Sequence, residues 1–485
     1  MSRREIAAAV CVALGSSCFS AVALAGSGGA VQVVAPQSGN DGQSSSTGAR
    51  EQQLEQRVNQ LEQELQQLKS QIQTQQGEIE AQRAAPPPPE AVAKQPAAPV
   101  TNFGSQPSGP TISLHGFVGA TGFWQSQNFS YSNGTQAEFP VPGSRNDQSF
   151  TGGDLRNTRL WVEVSNYKLG GGWEAGLHLS FDFQGGFNGT GPFASEQETP
   201  RARQLFVSLE HPDTGTKVTI GKQLDLLFPT ESVPLSYAHI AFPIGFGVGE
   251  VGWRFPGVVL WQDLGHPAAD SIHWRLDAGI FEGQYNGPGS NTNFNTAGNV
   301  GFRPQLEVRL HAQKGDWLAY VTGHYESFDL GGITPASVVT PIKRRFSSEA
   351  VVVGGAWTPG PWVFRASAYD GRALGNVLGS MIQFGDIKEH GGTGQAGYKF
   401  TKNLGFYLTY STVRPNRRQV IEWTGNGANG DTKGEIQAAD LLYTVGPLGL
   451  GLEFMHAKVI QQLSLFAPPV PTNGNQVSLS ALLKF

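Results

Sequence analysis

Apolar and polar residues alternate with a period of two along most of the chain beyond residue 110. In one clear segment, Leu306, Val308 and Leu310 are each followed by a polar or basic residue. A period of two is that of a β-strand with one apolar face. Turn residues separate the alternating segments. The pattern predicts sixteen strands, near residues 111–124, 155–166, 172–184, 201–211, 216–224, 250–262, 271–283, 301–313, 316–329, 346–358, 361–370, 390–400, 404–414, 435–445, 448–460 and 475–485.

The connections between these strands alternate between long and short, which a soluble β-sandwich would not require. Short turns such as 313–316, 358–361 and 446–447 are interleaved with long segments such as 125–154 and 371–389. Short periplasmic turns opposite long external loops are typical of outer-membrane barrels. We therefore predict an all-β fold, a transmembrane antiparallel β-barrel of about sixteen strands. A barrel of this size leaves an aqueous channel.

Aromatic residues flank the short turns and so predict an interfacial ring at one height of the barrel. These residues are Tyr167, Trp173, Trp261, Trp274, Trp317, Trp357, Trp362, Phe400 and Phe406.

A second period occurs nearer the N-terminus, where apolar residues recur at alternating steps of four and three. Such a seam predicts a left-handed coiled coil over 51–85 that associates with partner chains. A surface helix packed on its own domain is the alternative. The predicted core residues are Leu54, Val58, Leu61, Leu65, Leu68, Ile72 and Ile79.

The remaining N-terminal segments indicate export. Two arginines, an apolar stretch and an Ala-x-Ala site predict a signal peptide over 1–25. Residues 26–50 are polar and predicted to be disordered, 86–110 form a Pro-rich linker, and 111–485 form the barrel. We expect the barrel in the outer membrane of a Gram-negative bacterium, with the coiled coil in the periplasm.

Composition excludes several other classes of protein. Charged residues make up 15% of the chain and the net charge is -5, so we expect no nucleic-acid partner. Both cysteines, Cys11 and Cys18, lie in the predicted signal peptide. We find no metalloprotease, nucleotide-binding or serine-hydrolase motif, so we expect no enzyme activity, no cofactor and no metal. An enzyme barrel with a catalytic group at its rim is the contrasting class.

Charged residues on the polar strand faces are expected to line the lumen. A basic lining would select anions, whereas mutual pairing of these charges would weaken selectivity. Arg201 and Arg203 share parity with Leu205 and Val207, so we expect them at the rim instead. The predicted lumen residues are Arg159, Lys222, Arg254, Arg275, Arg309, Arg365 and Lys399, with acidic Glu163, Asp182, Glu250, Asp277, Glu307 and Glu453.

The connection over 225–249 is unusually apolar for an exposed loop and contains three prolines. Burial inside the barrel would remove these apolar side chains from water, so we interpret the segment as a constriction loop. A contact between neighbouring barrels is the alternative interpretation.

Three segments resemble strands of the DcaP-like outer-membrane porin family: RNTRLWVEV (156–164), RQLFVSLE…TKVTIGKQ (203–223) and the ending QVSLSALLKF. The resemblance implies a homotrimer, a periplasmic coiled coil and uptake of small anionic solutes such as dicarboxylates. Phe485 would match the residue that such barrels present to the barrel-assembly machinery. Outer-membrane lipid and lipopolysaccharide are the other expected partners. A sugar-specific porin and a non-conducting outer-membrane anchor are alternative functions.

Overall fold

The structure is a computed structural model. It describes residues 101–102, 109–129, 139–141, 149–185, 199–265, 271–283, 303–330 and 342–485. The predicted signal peptide, disordered segment and coiled coil, and most of the Pro-rich linker, therefore lie outside the described residues.

The described chain forms one antiparallel sheet that closes on itself. Its sixteen strands are β1 (Thr111–Gln125), β2 (Phe150–Asp154 and Arg159–Gly170), β3 (Trp173–Asp182), β4 (Arg201–His211), β5 (Thr216–Leu224), β6 (Arg254–Asp263), β7 (His273–Phe281), β8 (Gln305–Lys314), β9 (Trp317–Asp329), β10 (Arg345–Trp357), β11 (Trp362–Arg372), β12 (Lys388–Lys399), β13 (Leu404–Pro415), β14 (Asp431–Val445), β15 (Leu448–Gln461) and β16 (Val470–Lys484).

Each strand pairs with its sequence neighbours, and β16 pairs with β1 to close the barrel. The closing ladder runs from Gln476 opposite Gln125 to Lys484 opposite Phe117. A two-residue strand, Thr101–Asn102, adds to the beginning of β1. The predicted closed barrel of sixteen antiparallel strands is confirmed, and closure leaves no unpaired edge for lipid to meet.

The second strand differs from its predicted bounds, because residues 155–158 divide it into two parts. Its first part pairs with the end of β1, where Asp154 lies opposite Thr121. Its second part pairs with the beginning of β1, where Arg159 lies opposite Phe117. The predicted start at 155 falls in the break between the two parts.

Burial follows the predicted alternation along the strands. On β8, Leu306 and Val308 are exposed on the outer surface, whereas Glu307, Arg309 and His311 are buried inside. The outer surface is thus an apolar belt of the kind that a bilayer covers. No helix in the described part of the chain is long and apolar enough to cross a membrane. The described helix, α1 (Arg417–Trp423), lies in the connection between β13 and β14.

The aromatic ring at the short turns is present, with one correction. Tyr167, Trp274, Trp357 and Trp362 are exposed on the outer surface. Trp261 instead lies on the inner row of β6, where it packs against the buried apolar cluster. Its indole nitrogen donates to Thr219 Oγ1 at 3.2 Å.

Candidate functional site

The connection between β5 and β6, residues 225–253, folds into the barrel and is called the constriction loop below. Its two ends are tied together, because Asp225 N donates to Trp253 O at 2.8 Å. The Asp225 carboxylate accepts from Trp253 N and from Phe228 N, both at 3.0 Å. Burial, followed by the charge of Glu307, raises the pKa of the Asp225 carboxyl well above its usual range.

Apolar side chains hold the body of the constriction loop against the inner wall. Leu226, Leu227, Ile244 and Val248 are almost completely buried in one apolar cluster. Wall residues from β9, β10, β13, β14 and β15 complete the cluster. The loop therefore lies within the barrel, which favours the constriction interpretation over a contact between barrels.

Charged wall residues fix the beginning of the constriction loop by binding its backbone. Arg309 donates through Nη2 to Phe228 O at 2.8 Å and also to Leu226 O. Glu307 Oε2 accepts from Leu226 N at 2.5 Å. Two residues predicted to line the lumen thus hold the loop.

The middle of the loop is held in the same way from β11 and β12. Arg365 Nη1 donates to Val233 O at 3.0 Å. Gln395 binds Leu235 twice, accepting from its N–H at 2.8 Å and donating to its carbonyl at 3.0 Å.

The far end of the loop reaches across to β15 and β2. His239 Nδ1 lies 2.8 Å from Glu453 Oε1, and Ser236 Oγ donates to Glu453 Oε2 at 2.6 Å. Arg159 Nη2 donates to Ile240 O at 3.2 Å. Asn157, which sequence reasoning missed, donates to Ala238 O at 2.8 Å. Anchors on β2, β8, β11, β12 and β15 show that the loop spans the lumen.

A second connection also turns inward: residues 373–387, called the second inward loop below. Its Val377 O accepts from Gly252 N at 2.8 Å, and its Met381 N donates to Gly247 O at 2.9 Å. Its φ values are positive at several non-glycine positions, including Leu378 at 68° and Ile382 at 62°. Such backbone is strained by roughly 1–2 kcal/mol per residue, so packing against the constriction loop maintains it.

Four arginines gather around one carboxylate on the wall formed by β2, β3, β4 and β6. We call Arg159, Arg201, Arg203 and Arg254 the basic cluster. Asp182, at the end of β3, accepts from Arg201 at 2.9 and 2.6 Å and also pairs with Arg203. Asp182 is the acid that acts electrostatically on Arg159 and Arg254 in the described chain. Four positive charges and one negative charge leave the cluster with a net charge of +3.

Arg201 and Arg203 lie inside the barrel, so their assignment to the rim was wrong. The β3–β4 ladder shifts register between Ser180 and Phe181, where Ser180 pairs with Gln204 and Phe181 with Ala202. Arg203 is the extra residue of this β-bulge. A bulge reverses which row of a strand faces inward. Alternation counted back from Leu205 therefore gives the wrong face for Arg201 and Arg203.

Aromatic side chains of the constriction loop pack on the basic cluster. Phe242 and Trp253 stack with ring centroids 5.5 Å apart. The Arg201 guanidinium lies 5.3 Å from the Phe242 centroid, and that of Arg254 lies 4.3 Å from the Trp253 centroid. Arg254 is 4% exposed, and its Nε has no hydrogen-bond partner among the described residues. The basic cluster thus keeps an excess of positive charge that Asp182 does not neutralise.

Comparison with known proteins gives similarity in structure alone. No protein-family model and no curated protein matches the chain. The DcaP outer-membrane channel of Acinetobacter baumannii matches with a TM-score of 0.58 and 15% identity, covering 78% of this chain and 99% of that one. OmpT of Vibrio cholerae gives a TM-score of 0.48 and 12% identity, covering 79% and 100%. OprB of Pseudomonas putida gives a TM-score of 0.46 and 11% identity, covering 77% of this chain and 94% of that one.

This barrel therefore has the fold of the DcaP channel. The resemblance predicted from three strand segments is confirmed at the level of the fold.

The other predicted lumen residues have different placements. Arg275 lies inside and bonds Asp277 at 2.7 Å. Lys222 occupies the outer row of β5 with Ile220, opposite Leu205 and Pro256. Its assignment to the lumen was wrong, because Lys222 shares parity with the exposed Ile220, whereas Thr219 and Gln223 form the buried inner row.

Lys399 lies at the end of β12 beside a short turn and is exposed there, at the mouth of the barrel. Phe485 exchanges backbone hydrogen bonds with Gly116 at 3.1 and 3.0 Å, at the same end.

A cavity of about 510 Å³ opens beside the constriction loop, near the short turn at Pro212. Its lining combines Trp261 and Phe206 with Lys217, Arg275 and the loop residue Thr230, among others. Polar and charged wall residues of β4 to β8 thus remain accessible where the loop leaves space.

Proposed function

We propose that this protein is an outer-membrane porin that admits small anionic solutes by passive diffusion. The closed barrel, its apolar outer belt and its DcaP-like fold support the coarser part of this proposal, a channel in the outer membrane.

The anionic preference rests on one observation, the net charge of +3 of the basic cluster. The cluster lies against the constriction loop, through Phe242 and Trp253. Fixed charge in a confined, low-dielectric passage raises the local concentration of counter-ions. Basic groups at a constriction select anions by the same field that repels cations.

Dicarboxylates are the finer substrate class that we propose. The Arg201 side chain is 22% exposed although it is paired with Asp182, so part of it remains accessible. Arg254 and Arg159 lie close enough to interact with Arg201 and Arg203 electrostatically. A solute with two carboxylates could interact with two guanidinium groups of one wall at once, through charge-assisted hydrogen bonds.

The assembly is also a proposal. We propose a homotrimer of barrels, with the signal peptide over 1–25 removed and the coiled coil over 51–85 in the periplasm. Lipopolysaccharide and outer-membrane lipid would surround the apolar belt. The barrel-assembly machinery would recognise the terminal strand that carries Phe485.

Liposome swelling with purified protein tests the solute preference. We expect succinate to enter faster than glucose, and glucose faster than lysine. Arg201→Gln should reduce the succinate-to-glucose ratio roughly two- to fivefold, since one of the net positive charges is removed. Arg344→Gln is the matched control, because Arg344 lies near the end of a long loop and is 63% exposed.

Three results would contradict the proposal in different ways. A preference for oligosaccharides would favour the sugar porin, and an absence of swelling would favour the anchor. An unchanged succinate-to-glucose ratio in Arg201→Gln would remove the basic cluster from the selectivity mechanism.

A further inference from the structure

Glu250, in the last turn of the constriction loop, is a buried carboxylate that lacks a partner. It is 4% exposed, and neither carboxylate oxygen has a hydrogen-bond partner among the described residues. Burial raises the pKa of the Glu250 carboxyl well above its usual range, because the carboxylate loses its hydration. An isolated buried carboxylate is costly unless a cation or a proton compensates it.

Two wall hydroxyls lie beside Glu250, and they also lack partners among the described residues. Thr393 Oγ1 comes from β12 and Ser411 Oγ from β13, and both residues are buried. These strands are hydrogen-bonded neighbours, with Thr393 directly opposite Ser411. Three oxygen-bearing side chains from two parts of the fold are therefore unpartnered at one place.

Two hydroxyl oxygens and the Cγ atom of Glu250 lie around one point next to Gly245. Measured from the position that a Cβ on Gly245 would take, Thr393 Oγ1 is 2.5 Å away, Ser411 Oγ 2.9 Å and Glu250 Cγ 3.2 Å. Gly245 has a φ of 100°, which favours glycine. Glycine therefore permits the backbone turn and avoids the clash that a Cβ would make with the two hydroxyls.

We propose that Glu250, Thr393 and Ser411 form a binding site for a hard divalent cation, best matched by Ca²⁺, between the constriction loop and the wall. The ligands are all oxygens, which such cations prefer, and Ca²⁺ accepts irregular geometry more readily than Mg²⁺. The bound cation would compensate the Glu250 charge and pin the end of the loop to β12 and β13. A site with one carboxylate should bind weakly, with Kd on the order of 10⁻⁴–10⁻³ M.

The test compares thermal unfolding of the full-length protein, refolded in detergent without lipopolysaccharide, in CaCl₂ and in EGTA. We expect 10 mM Ca²⁺ to raise the unfolding midpoint by roughly 2–5 °C. The shift should disappear in Glu250→Gln, which keeps the shape of the side chain and removes its charge. Mg²⁺ should give a smaller shift than Ca²⁺.

Thr121→Val is the matched control for loss of a buried hydroxyl. Thr121 Oγ1 bonds Ser480 Oγ at 2.9 Å on another part of the wall, so its loss should leave the Ca²⁺ shift intact. Thr393→Val should reduce the shift, which provides a second variant if Glu250→Gln does not fold. Equilibrium dialysis with radioactive calcium should find one fewer ion per chain in Glu250→Gln and weaker calcium binding in Thr393→Val.

Two results would overturn the proposal. One is a Ca²⁺ shift that is absent from the wild type. The other is a shift of the same size in the wild type, Glu250→Gln and Thr393→Val. Greater stability of Glu250→Gln than the wild type, together with no Ca²⁺ dependence, would show that Glu250 is simply protonated.

Discussion

At the scale of single residues, several charged side chains on the inward-facing rows of the strands bind the backbone of the constriction loop. Arg309 and Arg365 donate to carbonyls of the constriction loop, and Glu307 accepts from one of its N–H groups. Buried carbonyls without partners are costly, so these side chains hold the loop where it crosses the lumen. Arg201 is more open and carries the proposed selectivity.

Arg309→Ala should alter the constriction more than the ion preference. It removes donors to Leu226 O, Phe228 O and Thr322 Oγ1, which should destabilise the barrel by about 2–3 kcal/mol. Single-channel records should show a larger and noisier conductance, because the beginning of the loop is released. Arg345→Ala, at a residue 68% exposed, is the control. Quiet, unchanged records from Arg309→Ala would show that the loop is held by other contacts.

The sequence identified most of the inward residues, and its errors have local causes. Arg275 and Arg309 follow simple alternation. Arg203 was missed because a bulge on β4 reverses the rows, and the sequence has no strong signal for a bulge. The sequence predicted that these charges either face solute or pair with each other, and the binding of Arg309 and Arg365 to the loop backbone was not predictable from it.

At the scale of elements, the strands were predictable because burial imposes a period of two. All sixteen strands were located, with differences of a few residues at their ends. The paths of the loops were harder to predict from the sequence, since they depend on contacts with residues far away in the chain. The apolar sequence of the constriction loop predicted burial, whereas nothing in the sequence of the second inward loop indicated that it packs on the first.

Leu479→Arg tests whether the outer row of β16 faces lipid. Leu479 is 60% exposed on the outer surface and lies opposite Gly122 and Leu452 in the ladder. An arginine there should cost roughly 2–4 kcal/mol if the site is near the middle of the bilayer. We expect less of the folded, heat-modifiable form on gels, whereas Leu479→Ala should retain it. Normal folding of Leu479→Arg would contradict the lipid-facing assignment.

At the scale of the whole molecule, the barrel closes through its own strands, and the predicted coiled coil is a separate segment. Pairing of β16 with β1 completes the sheet within one chain. We therefore expect the barrel to fold without the segment 51–83, whereas the predicted apolar seam of that segment would join chains.

Deletion of 51–83 separates these two roles. We expect the shortened protein to form a heat-modifiable barrel, since all strand pairs are retained. The fraction of trimer in detergent, measured by light scattering, should fall. An unchanged trimer fraction would show that the barrels associate without the coil, and a barrel that fails to fold would contradict the independence of the two parts.

Conductance in planar bilayers under a KCl gradient tests the central claim most directly, because it measures an open passage and its charge preference together. The account predicts stepwise insertion of conducting units and a reversal potential biased towards chloride. Membranes that stay silent, or a reversal potential biased towards potassium, would contradict it.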